Sequence, residues 1–195
     1  MNTENQIKVE EIITFIKELE RLKNITRTAW TSEGKQESVA EHSWRLAMLA
    51  LVLTPYIPEV NFSKVISMCL VHDLGEAYEG DISATIPIDQ DEKLINEERD
   101  ILRLINTLPK SSKEMITSLW KEYNEAISIE AKIAKSLDKM ETIIQHNQGK
   151  NPSDFNYAFN LTYGTEYVTI NEIIEKLRKI IDDDTHIKLS DKQEK

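Results

Sequence analysis

The chain contains a single cysteine among 195 residues. Cys69 has no intramolecular partner for a disulfide, and a structural zinc finger is excluded for want of thiolates. A lone thiol fits a reducing cytoplasm and serves best as a small core residue. Long apolar runs are missing too, and none approaches the length of a membrane span. The first residues, Met1-Asn2-Thr3-Glu4-Asn5-Gln6, lack the basic and apolar blocks of a signal peptide. Positive charge is scarce: 24 Lys and Arg against 34 Asp and Glu leave a net charge of −10. No Lys/Arg cluster is large enough to reverse that field, so a nucleic-acid polymer is not an expected partner. A small anion is compatible with it, provided that a metal and one or two basic side chains make the site locally positive. The sequence also has no glycine-rich phosphate loop and no nucleophilic Cys or Ser-His-Asp set, which argues against a covalent mechanism.

What is present is helical periodicity from end to end, with no alternating strand, internal repeat or linker. Hydrophobic residues make up 40% and charged residues 30%, as in one soluble globular domain. The expectation is an all-α, single-domain bundle over residues 1–181, followed by a polar, disordered tail at 182–195. Ile12, Phe15, Ile16, Leu19 and Leu22 make the first stripe. Ser38-Val39-Ala40-Glu41 is a capping box that opens a helix carrying Val39, His42, Leu46, Leu49, Ala50 and Leu53 on one face. Phe62, Val65 and Cys69 form the face of the next helix, which Gly75 is expected to end. Asp89 reads as an N-cap, and Ser111-Ser112-Lys113-Glu114 as a second capping box before Met115, Leu119, Trp120 and Tyr123, a core stripe. Ile133, Leu137, Met140 and Ile144 mark a helix starting near Ser128. Ile170, Ile173, Ile174, Leu177, Ile180 and Ile181 mark the last.

Four residues with chemistry fall on the inner faces or margins of these helices. His72 and Asp73 sit together at a helix C-terminus, where the macrodipole favours a cation. His42 looks inward from the first turn of its helix, and Asp138 lies beside Ala131 and Ala134, small residues that leave room for a neighbouring helix. Taken singly, each His is more commonly a hydrogen-bonded core residue than a ligand. Taken together, two imidazoles and two carboxylates suit Mn²⁺, Fe²⁺, Co²⁺, Ni²⁺ or Zn²⁺ with coordination positions to spare. His146 reads as a surface or loop-edge residue and His186 as part of the tail. Neither is a ligand candidate. Arg27 and Trp30 stand close together in the loop after the first stripe.

The order His42, His72-Asp73, Asp138 resembles the HD-domain metal-dependent phosphohydrolases. The surrounding motifs are Glu37-Ser38-Val39-Ala40-Glu41-His42-Ser43, His72-Asp73-Leu74-Gly75-Glu76, Gly80-Asp81-Ile82, Ser136-Leu137-Asp138 and Arg27-Thr28-Ala29-Trp30. These are similar to the 5′-deoxynucleotidase subgroup, over about residues 12–145. The resemblance implies an HD helical bundle with its core at about 38–145 and a divalent metal held by His42, His72, Asp73 and Asp138. It implies hydrolysis of deoxyribonucleoside 5′-monophosphates through a metal-activated water. Glu76 would orient or deprotonate that water, and Asp81 would contact the sugar or share a second ion such as Mg²⁺ with Glu76. Arg27 would grip the phosphate, and Trp30 would limit the room for a 2′-hydroxyl. Bacterial members have Trp directly after the Arg, whereas Thr28 and Ala29 intervene here, a spacing similar to the eukaryotic-type branch. The resemblance also suggests a homodimer, for which the last helix offers one surface; the alternative is that its aliphatic stripe closes the core. The alternatives are hydrolysis of another phosphate ester, such as a guanosine tetraphosphate, or a non-catalytic helical interaction module with a vestigial metal site.

Overall fold

A computed structural model describes residues 3–87 and 89–193. Met1, Asn2, Ile88, Glu194 and Lys195 lie outside the described residues, and so do the expectations that fall on them. The elements are α1 (Thr3–Glu18), α2 (Arg21–Asn24), β1 (Thr26–Trp30), β2 (Gln36–Ser38), α3 (Val39–Leu53), α4 (Phe62–Val71), α5 (Gln90–Leu104), α6 (Lys110–Glu125), α7 (Ile129–Gln148) and α8 (Glu172–Gln193). Short 3₁₀ turns at Leu74–Glu76 and Tyr157–Leu161 join them. The all-α expectation holds, with one correction. β1 and β2 form an antiparallel ribbon in the segment read as a loop.

The long helix α7 is the centre. Buried residues occur on every side of it, from Ala131 to Asn147, because α3, α4, α6 and α8 all pack against it. Ala131 and Ala134 are fully buried there and let the neighbouring helices come close. Apolar side chains divide into two cores. One joins α3, α4, α7 and α8 through Leu46, Ala50, Val65, Met68, Cys69, Leu137, Ile174 and Ile181. The other joins α2, α5 and α6 through Leu22, Val39, Leu74, Ile101, Leu104, Ile105 and Trp120. Residues adjacent in sequence fall to different cores: Val39 and Leu46 on α3, Cys69 and Leu74 around the end of α4. His42, His72 and Asp73 lie between them in the chain, and so at the seam.

The capping box of α3 forms as expected. Glu41 N donates to Ser38 Oγ, and Ser38 N donates to Glu41 Oε2 at 2.8 Å. Asp89 caps α5 as read from the sequence, and the helix expected to start near Ser128 is α7, with Ser128 as its N-cap. Several expectations are overturned. The Ser111–Glu114 capping box does not form, because α6 already begins at Lys110 with Pro109 as its N-cap. Ile12 and Ile16 are exposed, since α1 covers only the edge of the second core through Phe15 and Leu19. The expected disordered tail is helical as far as Gln193. It is anchored: Thr185 is fully buried, and its hydroxyl receives a hydrogen bond from Asn147 Nδ2 at 2.9 Å. Arg178, also buried, donates to Asp182 at 2.7 Å and to the carbonyl of Tyr163 at 2.7 Å.

Gly75 does not end α4, which stops at Val71. Its role is close approach, for a Cβ there would stand 2.7 Å from Glu97 Cβ and 2.8 Å from the Glu97 carbonyl oxygen. Gly75→Ala should therefore push α5 away from the turn that carries Glu76. The expected loss is about 1–3 kcal/mol of stability, the usual range for overpacking, read as a lower urea midpoint at unchanged m-value. An unchanged midpoint would contradict this close packing.

Candidate metal and phosphate site

Two helices and the end of a third bring the four expected ligands together. His42 comes from the first turn of α3, His72 caps α4, Asp73 follows it, and Asp138 projects from the middle of α7. His42 Nε2 lies 3.1 Å from Asp138 Oδ1 and 3.8 Å from Asp73 Oδ2. His72 Nε2 lies 3.1 Å from Asp73 Oδ2 and 3.8 Å from Asp138 Oδ1. Both His residues and Asp138 are buried, and Asp73 is nearly so.

The far nitrogen of each ring explains its orientation. His72 Nδ1 is 3.0 Å from the Cys69 carbonyl, so it carries the proton and leaves Nε2 as a lone pair. That Nε2 is buried and forms no hydrogen bond, although Asp73 stands beside it. His42 Nδ1 is bound to the Glu141 carboxylate, itself held by Arg45. With the imidazoles neutral, the two Nε2 lone pairs face the Asp73 and Asp138 carboxylates, so the four groups together call for positive charge between them. Donor separations of 3.1–3.8 Å suit one ion with bonds of about 2.0–2.2 Å. The donor set fits a divalent metal. Glu37, His42 and Glu141 also cluster, but there Glu141 is taken up by His42 Nδ1 and Arg45, while Glu37 Oε2 stands 3.7 Å from Arg27 Nε without a hydrogen bond. That group orients the ligand set from behind.

The electrostatics agree. Burial and Arg27 lower the His42 imidazole, yet Glu141 and Asp138 outweigh both and raise it to about 9. Burial also lowers His72, and Asp73 and Asp138 raise it to about 9. Asp138 is pushed up by burial but held well below the usual carboxylate range by Lys139 and the two imidazoles. The site stabilises positive charge, whether it arrives as protons or as a cation. Glu76 and Asp81 behave in the opposite way, raised by burial and, after it, chiefly by neighbouring acids for Glu76. Glu76 Oε2 is buried without a partner.

This ligand set lines a cavity of about 820 Å³ together with Glu76, Asp81, Arg27 and Trp30, so every expected site residue except His42 borders it directly. His42 lies behind, fully buried. Arg27 and Trp30 are three positions apart and in a regular strand would face opposite ways. A register irregularity between Thr26 and Trp30 allows both to line the cavity. Arg27 donates to Asp73 Oδ2 at 3.2 Å and to Thr142 Oγ1 at 3.0 Å. Burial lowers its pKa, but Asp73, Asp81, Asp138 and Glu76 together raise it above its ordinary value.

Other residues of the site escaped the sequence reading. Tyr123, taken for core alone, is buried and donates to Asp138 Oδ2 at 2.7 Å. Lys139 donates to the same oxygen at 2.8 Å. Lys93, Lys135 and Lys139 add positive charge to the cavity wall. Lys135, Asp138, Lys139 and Thr142 recur at helical spacing within α7, the one trace of this polar face in the sequence. His146 is not a surface residue. It is buried, its Nδ1 lies 2.8 Å from Asn160 Oδ1, and its ring packs against Phe155. The 157–161 turn covers the end of α7 and so hides it.

A helical bundle with such a donor set at the wall of a cation-lined cavity belongs to the class of all-α metal-dependent hydrolases. Within that class, the chain is a member of the HD domain family, whose profile matches residues 19–178. It is 36% identical over 141 residues to the 5′-deoxynucleotidase HDDC2 of Dictyostelium discoideum, spanning 68% of this chain and 74% of that protein. The human protein of the same name is 32% identical over 139 residues, 70% of this chain and 67% of its own length. Among solved structures, a predicted metal-dependent phosphohydrolase from Magnetospirillum magnetotacticum superposes with a TM-score of 0.75 at 24% identity, covering 92% of this chain and 96% of that one. At that identity the likeness is one of fold.

Glu141 provides a test of the orienting contact behind His42. Glu141→Gln should lower affinity for a divalent cation by about 10–100-fold, as loss of such a partner typically does. Competition with a chromogenic chelator measures it. Wild-type affinity in this variant would mean that Glu141 does not orient the ring.

Proposed function

We propose that this protein is a metal-dependent 5′-deoxynucleotidase, a phosphoric monoester hydrolase that converts deoxyribonucleoside 5′-monophosphates to deoxyribonucleosides and phosphate. What supports this most is the convergence of His42, His72, Asp73 and Asp138 beside Arg27 in one cavity, in a chain similar to several proteins named 5′-deoxynucleotidase. Those four residues would hold a divalent ion, and imidazole with carboxylate suits Mn²⁺, Fe²⁺, Co²⁺, Ni²⁺ or Zn²⁺. When bound, such an ion lowers the pKa of water and neutralises phosphoryl charge.

The remaining roles belong to this chain's own groups. Arg27 presents a guanidinium for bidentate contact with the phosphate. Glu76, with one buried oxygen unpartnered, acts in its ionised form: it orients the attacking water and accepts its proton as the water oxygen bonds to phosphorus and the bond to the sugar 5′-oxygen breaks, and the proton then passes to that leaving oxygen to give the free hydroxyl. Asp81 holds the sugar end, or joins Glu76 around a second ion such as Mg²⁺. Trp30, half-buried with its ring near-perpendicular to that of Phe155, fills the space beside C2′ and disfavours a ribose hydroxyl.

Phosphate release from a panel of deoxy- and ribonucleotides, with each metal in turn, tests the activity. His72→Ala and Asp138→Ala should lose bound metal and turnover together. Arg27→Ala should slow both sugar classes alike, by about 2–4 kcal/mol of transition-state stabilisation. Trp30→Ala should narrow the deoxy/ribo ratio of kcat/KM while leaving metal content unchanged. Absence of phosphate release across the whole panel would refute the proposal, and an unchanged sugar ratio would refute the role of Trp30.

We place the protein in the cytoplasm, consistent with one buried free thiol. No helix among the described residues is long and apolar enough to cross a membrane. We also propose a homodimer, but not through α8, whose Ile174 and Ile181 close the core. A better face is the exposed stripe of α3 and the turn after it, Trp44, Met48, Leu51, Val52 and Tyr56. Light scattering should give twice the chain mass at micromolar concentration, and Trp44→Glu with Leu51→Glu should return a folded monomer. A wild-type monomer would dispose of this interface.

A further inference from the structure

Four cationic side chains other than histidine line the cavity: Arg27, Lys93, Lys135 and Lys139. Three of them are already held by carboxylates. Arg27 lies 3.2 Å from Asp73, Lys93 3.3 Å from Glu97, and Lys139 2.8 Å from Asp138. Lys135 differs. Among the described residues no carboxylate stands within ion-pair distance of it. Its ammonium sits 4.3 Å from the centre of the Tyr123 ring, a contact that steadies a cation without using up its three N–H donors. The same ring packs 5.1 Å from the His72 ring, and its hydroxyl is bonded to Asp138. Tyr123 thus tethers Lys135 to the edge of the ligand set.

We infer that Lys135 is a substrate-binding residue that donates to a non-bridging phosphoryl oxygen of a phosphate monoester, an inference that rests on the nucleotidase reading above. A half-buried ammonium with unused donors, facing a cavity, is unfavourable until an anion arrives. Burial and the neighbouring Lys139 push it down to about 8, so an approaching anion restores a charge that the empty cavity weakens. A monoester phosphate carries about −1.5 to −2 charges at neutral pH. Arg27 is partly neutralised by Asp73 and cannot match the second of these alone. Lys135, as a compact point charge, supplies what is lacking. The site thereby favours monoesters over diesters, which carry a single charge and offer fewer free oxygens.

The test uses the metal-loaded full-length protein, with inorganic phosphate as the probe in titration calorimetry. Lys135→Met keeps the aliphatic stem and removes the charge. It should weaken phosphate binding about tenfold, equivalent to about 1.4 kcal/mol. KM for a deoxynucleoside 5′-monophosphate should rise in parallel with little change in kcat. Inhibition by the uncharged deoxynucleoside and the metal content should not move, and Lys135→Arg should recover most of the phosphate affinity. Should the Met variant misfold by circular dichroism, Lys135→Gln is measured in its place. Unchanged phosphate affinity in a folded variant overturns the inference, as does an equal loss of deoxynucleoside and metal binding, which would mark a structural role. Wild-type protein that fails to bind phosphate overturns it too. Wild-type protein that binds phosphate through Lys135 but hydrolyses no deoxynucleotide would sink the nucleotidase reading and leave the Lys135 contact standing.

Discussion

The burial of the Asp138 carboxylate is the constraint on which the rest of the site depends. Asp138 is only 4% exposed and sits mid-way along a helix surrounded by other helices. An ionised carboxylate in that position is costly unless it is paired and hydrogen-bonded. Tyr123 and Lys139 donate to one oxygen, and the other faces His42 and His72. Each partner comes with its own support: His42 from Glu141, His72 from the Cys69 carbonyl, Lys139 from the Tyr163 ring at 5.0 Å. Removing any one leaves a buried charge less well compensated. The network therefore ties α3, α4, α6 and α7 to a single arrangement, in addition to their apolar packing.

That arrangement lies where two apolar cores meet, and the seam has a physical use. Polar groups inside either core would lack partners, whereas at the junction they face one another across a cavity. The acids there separate by environment. Asp73 and Asp138 are held ionised by imidazoles and cations, the state in which a carboxylate can bind a metal. Glu76 and Asp81 are driven toward the neutral form by burial and by like charges. One cavity thus holds carboxylates in two electrostatic environments, a division that in other hydrolases separates the roles of paired acids.

The protein is acidic overall, yet its cavity wall carries Arg27, Lys93, Lys135 and Lys139. Net charge governs long-range encounter with polyanions, while these four side chains act at contact distance. A small anion can be drawn into a chain that would repel a long one. Position, not amount, of positive charge decides this.

Much of this was determined by local sequence. The capping box at Ser38, the N-caps at Asp89 and Ser128, and the apolar faces of α3, α4 and α7 are short-range features, and they placed His42, His72, Asp73 and Asp138 on inward surfaces. The motif pattern around them did the rest of the family assignment, since spacing alone could not show that they meet. Features that arise between distant segments were not legible. The β1–β2 ribbon is two short strands whose bulge breaks alternation, so it carries no period-two signal. Tyr123 looks like any core aromatic until Asp138 is seen at its hydroxyl, and His146 like a surface residue until the 157–161 turn covers it. The polar tail became a helix because Thr185 and Arg178 find buried partners on α7 and the turns before α8. Propensity and periodicity are properties of neighbouring residues, and they determined the helices and their inner faces. The partners of a buried polar group are chosen by packing across the whole chain, and that choice was made by the tertiary structure alone.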